Sequence, residues 1–175
     1  MPTPEFILEL RGKIGHAPLW LAGVSGYVWR DDGMLLLERR SDNGKWALVS
    51  GIVEPGEEPA DTLVREAKEE TGLDVVVTDL VAVQSDQTTM TYPNGDETWY
   101  MDHLFLAEPA EGADLEPHVA DEESTSVGWF ALDDLPEPMT ESSRARIAAV
   151  RDYLAHREAG NAHAQFTENG VTKFR

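Results

Sequence analysis

Three glutamates near the middle of the chain, Glu66, Glu69 and Glu70, have the residue type and spacing of a metal-binding group. In an α-helix their i, i+3 and i+4 spacing places all three carboxylates on one face. Like charges so arranged repel one another, and a divalent cation would compensate for the repulsion. Clustered oxygen ligands suit hard ions such as Mg²⁺ or Mn²⁺. The alternative from spacing alone is an acidic, solvated helix with ordinary ion pairs, which is the more frequent outcome for a run of charges.

The residues around the glutamates predict the helix that would carry them. Pro59 suits a first helical turn, and Gly72 suits the left-handed position after the last turn, so we expect a helix over residues 59–71. Arg65 stands four residues before Glu69, and we expect its guanidinium to hold a carboxylate through two parallel hydrogen bonds. The opposite face of the helix offers three apolar side chains for packing, Leu63, Val64 and Ala67. We therefore expect the carboxylates to face a surface cleft.

The segment from Gly51 to Leu73, GIVEPGEEPADTLVREAKEETGL, resembles the Nudix box of the Nudix hydrolase superfamily, and in particular its MutT-like and ADP-ribose pyrophosphatase-like bacterial members. Every defined position of the box is filled, by Gly51, Glu57, Arg65, Glu66, Ala67, Glu69, Glu70, Gly72 and Leu73. The resemblance extends over residues 18–155, through the run at residues 35–40, Trp46 and Trp129. One departure is that Val49 and Ser50 stand where many relatives have proline and glycine.

The resemblance implies an α/β (α+β) fold, a mixed β-sheet sandwiched between α-helices. It implies Mg²⁺ as cofactor, with Mn²⁺ as a substitute. It also implies roles for the residues of the box: the metal ligands would be Glu66, Glu69, Glu70 and the carbonyl of Gly51, while Arg65 and Glu57 would position those ligands and hold the loop. The reaction implied is attack of water at phosphorus on the diphosphate linkage of a small nucleotide, either a nucleoside triphosphate, ADP-ribose or a dinucleoside polyphosphate.

A general base is also needed, and the resemblance implies either a box glutamate or an acid on a later loop. Glu123, six residues before Trp129, occupies the place expected for that acid, and Glu122 is the alternative. A merely solvated acidic loop is the competing interpretation. The catalytic group implied by the resemblance is therefore Glu69, Glu70, Glu123 and Arg65.

Candidate substrate contacts lie on two other segments. Arg39 and Arg40 end a strand near the expected cleft, where we expect one to contact a phosphate and the other to close a surface ion pair. Tyr92, beside a turn at residues 93–96, is the candidate for stacking on a nucleobase. Trp46 either stacks on a base or packs beneath the box helix, and packing is favoured. Residues 10–16 resemble the leader of some bacterial relatives, and sequence alone assigns them no purpose.

Composition restricts the partners. The net charge of −19, from 33 acidic against 14 basic residues, argues against a nucleic-acid partner, because such proteins neutralise phosphates with basic side chains. Mean hydropathy is −0.37, and no run approaches the roughly 20 apolar residues of a membrane span. The first residues lack the pattern of a secretory signal, and the chain has no cysteine. We therefore expect a cytoplasmic protein with no membrane partner.

The hydrophobic pattern predicts three regions: an N-terminal helix or leader over residues 1–17, a Nudix domain over 18–157 and a loose polar tail over 158–175. Strands are expected at 19–30, 34–37, 46–49, 74–84, 99–107 and 126–131, and helices at 4–15, 59–71 and 141–157. A homodimer formed through the N-terminal helix is a further hypothesis.

Two other functions compete with a hydrolase. One is a Nudix-fold module that senses a nucleotide without cutting it, but such modules usually lose box glutamates, and here all are present. The other is an acidic interaction domain with a purely structural metal site. Turnover of a nucleotide would distinguish a hydrolase from both.

Overall fold

The computed structural model describes residues 3–85, 87–161, 163–168 and 171–174. The helices found there are α1 (Glu5–Ile14), α2 (Pro59–Thr71) and α3 (Glu141–Glu158). The strands are β1 (Leu19–Val28), β2 (Met34–Arg40), β3 (Trp46–Ala47), β4 (Val49–Ile52), β5 (Val75–Ser85), β6 (Met90–Thr91), β7 (Glu97–Pro109), β8 (Ser124–Ala131), β9 (Gln165–Glu168) and β10 (Val171–Phe174). No helix in these ranges is long and apolar enough to cross a membrane.

The strands form two sheets. The larger one is mixed and has the order β10-β9-β5-β7-β1-β4, with β6 paired to β7. Within it β1 runs parallel to β7, and β5 runs parallel to β9, while the other pairs are antiparallel. The smaller sheet is antiparallel, in the order β3-β2-β8. The chain passes from the smaller sheet to the larger at Leu48, so the predicted single strand over 46–49 is two short ones.

Helices cover both faces of the large sheet. Because successive side chains of a strand point to opposite faces, β7 contributes to two separate cores. Leu104 and Leu106 pack in a cluster with side chains of α3, and Phe105 and Ala107 pack in another with side chains of α2. This arrangement confirms the predicted α/β fold, a mixed sheet between helices.

The predicted boundaries agree best where a local signal ends an element. Helix α2 begins at Pro59 and ends at Thr71 as predicted, and Gly72 follows it with a φ of 74°. Three of the predicted strands, β2, β7 and β8, are longer than predicted; β2, for example, continues through Glu38 to Arg40. Hydrophobic alternation predicts the buried middle of a strand. It does not predict the polar ends, which belong to the strand because they are hydrogen-bonded to a neighbouring strand.

The expectation of a loose tail after Glu158 was wrong. Strands β9 and β10 form an antiparallel pair, and β9 joins the edge of the large sheet, where Gln165 pairs with Ala82 of β5. The side-chain amide of Gln165 is buried and donates a hydrogen bond to the Ala149 carbonyl at 2.7 Å. An open sheet edge supplies partners for a polar segment whose own sequence carries little strand signal.

Candidate active site

Two of the three clustered glutamates lie inside the protein. The exposed fractions of Glu66 and Glu70 are 1% each, whereas the Glu69 side chain is 47% exposed. All three carboxylates were expected at a surface cleft, but only the Glu69 side chain is exposed to solvent. The reason is helical spacing: positions 63, 66, 67 and 70 form one i, i+3, i+4, i+7 stripe, so both buried glutamates share the packed face with Leu63 and Ala67. The prediction that Val64 packs was also wrong, since it is 36% exposed.

Arg65 fastens the loop before α2 to the helix. Its Nε and Nη2 donate to the two carboxylate oxygens of Glu57 at 2.9 and 3.0 Å. Glu57 Oε2 also accepts hydrogen bonds from Thr62 Oγ1 at 2.7 Å and from the Glu54 amide at 3.3 Å. The hydrogen bonds from Arg65 lower the pKa of Glu57 to about 2. The bidentate contact expected for Arg65 is therefore made to Glu57, which stays ionised and holds the loop.

The same guanidinium reaches two of the glutamates on α2. Arg65 Nη1 donates to Glu66 Oε1 at 3.1 Å and to Glu69 Oε2 at 3.2 Å. On the other side of Glu66 lies Gly51, in β4, where any Cβ would overlap the Glu66 carboxylate. Only glycine leaves room for this carboxylate between strand and helix, which explains the first glycine of the box physically.

Burial makes the carboxylates of this region hard to ionise. Burial raises the pKa of Glu66 to about 7, against the opposing effect of Arg65. Burial also raises the pKa of Glu70, and the charges of Glu38, Glu66 and Asp121 raise it further. In the described part of the chain, Glu66 Oε2, Glu70 Oε2 and Glu38 Oε1 are buried without a hydrogen-bond partner. Such oxygens are costly to desolvate, and a bound cation would compensate for that cost.

Glu38, which was not among the residues expected at the site, belongs to this buried group. The Glu38 side chain is 1% exposed, it accepts a hydrogen bond from Ser124 Oγ, and burial raises its pKa. The signal that the sequence offers is strand alternation, which puts residues 38 and 40 on the same face as residue 36. The structure adds that this face packs against α2, because Leu36 belongs to the cluster that contains α2. Glu38 therefore lies on the face that meets the box helix.

The loop before β8 contains a further acid, Asp121, beside the expected Glu123 and Glu122. The charge of Asp121 raises the pKa values of Glu38 and Glu70. Glu123 is half-buried, its amide donates to Asp121 Oδ1 at 3.0 Å, and its carbonyl accepts from the Ser41 amide at 2.7 Å. Glu122 is exposed. Asp121 is therefore a second residue that sequence analysis missed, although it lies within the acidic stretch singled out.

Arg39 and Arg40, the two candidate arginines, lie on opposite faces of β2. Arg40 shares the face of Glu38, and its charge acts on both Glu38 and Glu70, while its Nε and Nη2 donate to Asp42 at 3.0 Å each. Arg39 is exposed and its Nε donates to the Gly44 carbonyl at 3.0 Å. Of the pair, Arg40 is the one placed beside the buried carboxylates.

The two aromatic candidates lie away from α2. The Tyr92 side chain is 37% exposed, and its hydroxyl is 2.7 Å from that of Tyr100. Trp46 packs edge-on against Phe130, with ring centroids 4.7 Å apart, and belongs to the cluster that contains α3. Trp46 is thus a packing residue, but the prediction that it packs beneath the box helix was wrong. The reason is that it lies in β3 of the smaller sheet, before the chain crosses toward α2.

A groove of about 1300 Å³ runs beside these groups. Its described lining includes Glu57, Arg65 and Glu69 of the box, Asp121 of the later loop, and residues of α1. Arg39, Arg40 and Tyr92 lie outside that lining. The groove is large enough for a nucleotide.

The carboxylates suit a divalent cation only after one side chain moves. Over the ranges that the structure describes, no three His, Cys, Asp or Glu side chains form a group ready to hold a metal ion. Glu69 is bound to Arg65, whereas Glu66 and Glu70 each direct an unpartnered oxygen into the interior. The donor set, all carboxylate oxygen, has the chemistry of a Mg²⁺ or Mn²⁺ site, and Glu69 would complete it by turning from Arg65.

Comparison with known proteins identifies the family of this chain. The family model of the NUDIX domain matches residues 20–150. The chain is 34% identical over 135 residues to a MutT-like protein of Streptomyces ambofaciens, covering 77% of this chain and 79% of that protein. It is 29% identical over 133 residues to an ADP-ribose pyrophosphatase of Methanocaldococcus jannaschii, covering 75% and 71%. The structure resembles the crystal structure of a MutT NUDIX hydrolase from Burkholderia pseudomallei, with a TM-score of 0.57, 28% identity and coverage of 75% and 98%. The chain belongs to the NUDIX family and is a Nudix hydrolase.

Proposed function

We propose that this hydrolase is a Mg²⁺-dependent pyrophosphohydrolase that cleaves the diphosphate linkage of a nucleoside diphosphate derivative by attack of water at phosphorus. The observation that carries the proposal is the pair of buried, unpartnered oxygens, Glu66 Oε2 and Glu70 Oε2, one helical turn apart on α2. Burying such groups without a partner costs free energy, which a divalent cation offsets. A solvated acidic helix would keep these carboxylates in water instead.

The residues of the box take different roles in this proposal. Glu66, Glu69 and Glu70 hold the ion, with the carbonyl of Gly51 as a further contact, and Mn²⁺ can replace Mg²⁺. When bound, the ion neutralises phosphate charge and lowers the pKa of a bound water. Arg65 keeps Glu66 and Glu69 oriented before the ion arrives, and its bond to Glu57 fixes the loop.

A general base must take a proton from the attacking water. The candidates are a box glutamate and the loop acids at 121–123. Asp121 gains support from its charge acting on Glu70 and from its place in the groove lining, and Glu123 remains a candidate two residues further along. We propose that this loop supplies the base. Separate Asp121→Asn, Glu122→Gln and Glu123→Gln variants rank the three, since the base is the one whose loss lowers kcat most.

Substrate contacts are proposed for the residues outside the box. Arg40, beside Glu38 and Glu70, is placed to contact a phosphate when it leaves Asp42, and Arg39 then serves as the surface residue of the pair. Tyr92 is exposed on a hairpin and is proposed to stack on a nucleobase. The name of the Methanocaldococcus relative, an ADP-ribose pyrophosphatase, favours ADP-ribose as the first compound to test.

The experiment that tests this function is a substrate panel. Purified protein is incubated with ADP-ribose, diadenosine polyphosphates, nucleotide sugars, NADH, and common and oxidised nucleoside triphosphates, each with Mg²⁺, with Mn²⁺ and with chelator. A Glu69→Gln, Glu70→Gln double variant is compared with a Glu9→Gln, Asp152→Asn double variant, which neutralises two exposed acids on other helices. We expect metal-dependent release of phosphate-containing products that only the first variant loses.

Two results would contradict the proposal. Turnover that survives in chelator or in the first double variant would remove the box glutamates from the reaction. If no compound is cut while one of them raises the melting temperature, the chain would instead be a Nudix-fold module that senses a nucleotide.

A further inference from the structure

Helix α1 lies before the residues matched by the NUDIX model, and Arg11 joins it to the large sheet. The Arg11 side chain is only 11% exposed. Its Nη1 donates to the Ala17 carbonyl at 2.6 Å, within the loop that follows the helix. Its Nη2 donates to the Glu97 carbonyl at 2.7 Å and to Thr98 Oγ1 at 3.3 Å, at the start of β7. A single guanidinium therefore connects the helix, its following loop and the sheet.

A second contact, between His16 and Asp96, strengthens this connection. His16 Nδ1 lies 2.8 Å from Asp96 Oδ1, and Arg11 Nε lies 3.5 Å from the same oxygen. Asp96 ends the turn of the β6–β7 hairpin, and a Cβ added to Gly95 of that turn would lie 3.9 Å from the His16 ring. We call the group formed by Arg11, His16 and Asp96 the latch. It accounts for the leader segment, residues 10–16, to which sequence analysis assigned no purpose.

The latch lies at the C-terminal end of α1 and holds the helix by the end that does not line the groove. The described lining of the groove includes Pro4, Glu5 and Leu8, at the N-terminal end of α1, together with Arg65 and Glu69 of α2. The Leu8 side chain is 58% exposed, so it has apolar surface available to a ligand. Residues of α1 and residues of the box therefore both line the groove.

The charge of the groove indicates which part of a substrate suits its α1 side. Its ionisable side chains are mostly acidic, with Arg65 and Lys68 as the basic ones in the described lining. Phosphates would be repelled from such a lining unless a cation lay between them and the carboxylates. An uncharged sugar is not repelled, and its apolar face can pack on the exposed side chain of Leu8.

We propose that the latch holds α1 as a wall of the substrate-binding groove and that Leu8 contacts an uncharged sugar of the nucleotide. This inference rests on the proposed function, because it takes the groove as the place where that substrate binds. Arg11, His16 and Asp96 are positioning residues, and Leu8 is a specificity residue. The diphosphate then lies at the α2 side, beside Glu69.

The latch is tested first without any substrate. Hydrogen–deuterium exchange is measured over residues 5–14 in wild type and in the Asp96→Asn and Arg11→Ala variants, with Glu9→Gln as the control, since Glu9 is an exposed residue of the same helix. We expect exchange at least tenfold faster in the two latch variants and unchanged exchange in the control. Unchanged exchange in both latch variants would overturn the latch. A His16→Gln variant repeats the test should either latch variant fail to fold.

The wall is tested by kinetics with ADP-ribose and with dGTP. Asp96→Asn and Leu8→Ala should raise KM several-fold for the compounds that wild type cuts and leave kcat nearly unchanged, whereas Glu9→Gln should change neither. A fall in kcat at constant KM, or an equal change in the control, would overturn the role of α1. Wild-type inactivity toward the whole substrate panel would overturn the proposed function, and with it the contact to Leu8, while the exchange result still decides the latch.

Discussion

The guanidinium of Arg65 links the loop carboxylate of Glu57 to two glutamates of α2, and a single point charge could not make the same contacts. A planar guanidinium donates along two parallel directions to Glu57 while another nitrogen reaches Glu66 and Glu69. A lysine ammonium has the charge without this fork. The geometry of Arg65, as well as its charge, is therefore what orients the ligands.

We predict that Arg65→Lys lowers the affinity for Mg²⁺ by about 10- to 100-fold, because the supporting contacts to the ligands are lost. The measurement is the Mg²⁺ dependence of hydrolysis of the best panel compound. Lys13→Arg, an exchange in the opposite direction at an exposed residue outside the groove lining, serves as the control. An unchanged Mg²⁺ dependence in Arg65→Lys would show that charge alone is sufficient.

Glu38 acts on the site through its charge. Its carboxylate helps to raise the pKa of Glu70, after the larger effect of burial, and Glu70 must lose its proton to bind a cation. We predict that Glu38→Gln lowers the pKa of Glu70, so that activation by Mg²⁺ begins at a lower pH. The measurement is the Mg²⁺ activation constant as a function of pH. Asp133→Asn, which removes one exposed charge from a turn, should leave the curve in place.

At the scale of elements, α2 packs closely on β1 because Gly26 has no side chain. A Cβ at this position would overlap Leu63 Cδ1, and the Leu63 side chain is fully buried. The close approach also sets how near Glu66 and Glu70 lie to the sheet. The missing side chain at Gly26 therefore helps to set the position of the candidate metal ligands Glu66 and Glu70.

We predict that Gly26→Ala lowers the free energy of unfolding by about 1–3 kcal/mol, the usual cost of overfilling a packed core. Gly12→Ala is the matched control, since a Cβ at that helical position meets nothing within 4 Å and alanine favours a helix. Both are measured by urea denaturation. Equal stability of the two variants would mean that α2 can shift without cost.

At the scale of the whole molecule, the shifted pKa values of the site make stability depend on pH. Glu66 has a pKa of about 7 in the folded state, above its ordinary value of 4.5, so the folded state binds its proton more tightly than the unfolded state. Stability from this group is complete below about pH 4.5 and is lost as the pH rises through about 7. Glu57 has the opposite shift, to about 2, so its contribution changes only below about pH 4.5.

We predict that the melting temperature of the metal-free protein falls between about pH 5 and pH 8, by about 2–4 °C for each kcal/mol lost. Mg²⁺ should raise it more at the higher pH, because the carboxylates are then charged. Differential scanning calorimetry with and without Mg²⁺ measures both effects, and Glu66→Gln should flatten the pH dependence. A melting temperature that rises over this pH range in chelator would contradict the assignment of buried, hard-to-ionise carboxylates.

The sequence by itself was sufficient for the family, for the bounds of α2 and for the identity of the box residues. These follow from local signals, such as Pro59 before the helix, Gly72 after it and the fixed spacing of Glu66, Glu69 and Glu70. The spacing of Glu66 and Glu70 also indicates that they are buried, since both lie on the same helical face as Leu63 and Ala67. The prediction of an exposed acidic face did not take this periodicity into account.

Only the tertiary structure decided which distant residues meet the box. Glu38 and Asp121 reach Glu70 from other elements, and Arg11 and His16 meet Asp96 about 80 positions away in the chain. The strands of the C-terminal segment likewise depend on the free edge of β5. Such contacts depend on sheet order and on which edges remain open, and these follow from the packing of the whole chain, whereas helix ends and box spacing are set by neighbouring residues.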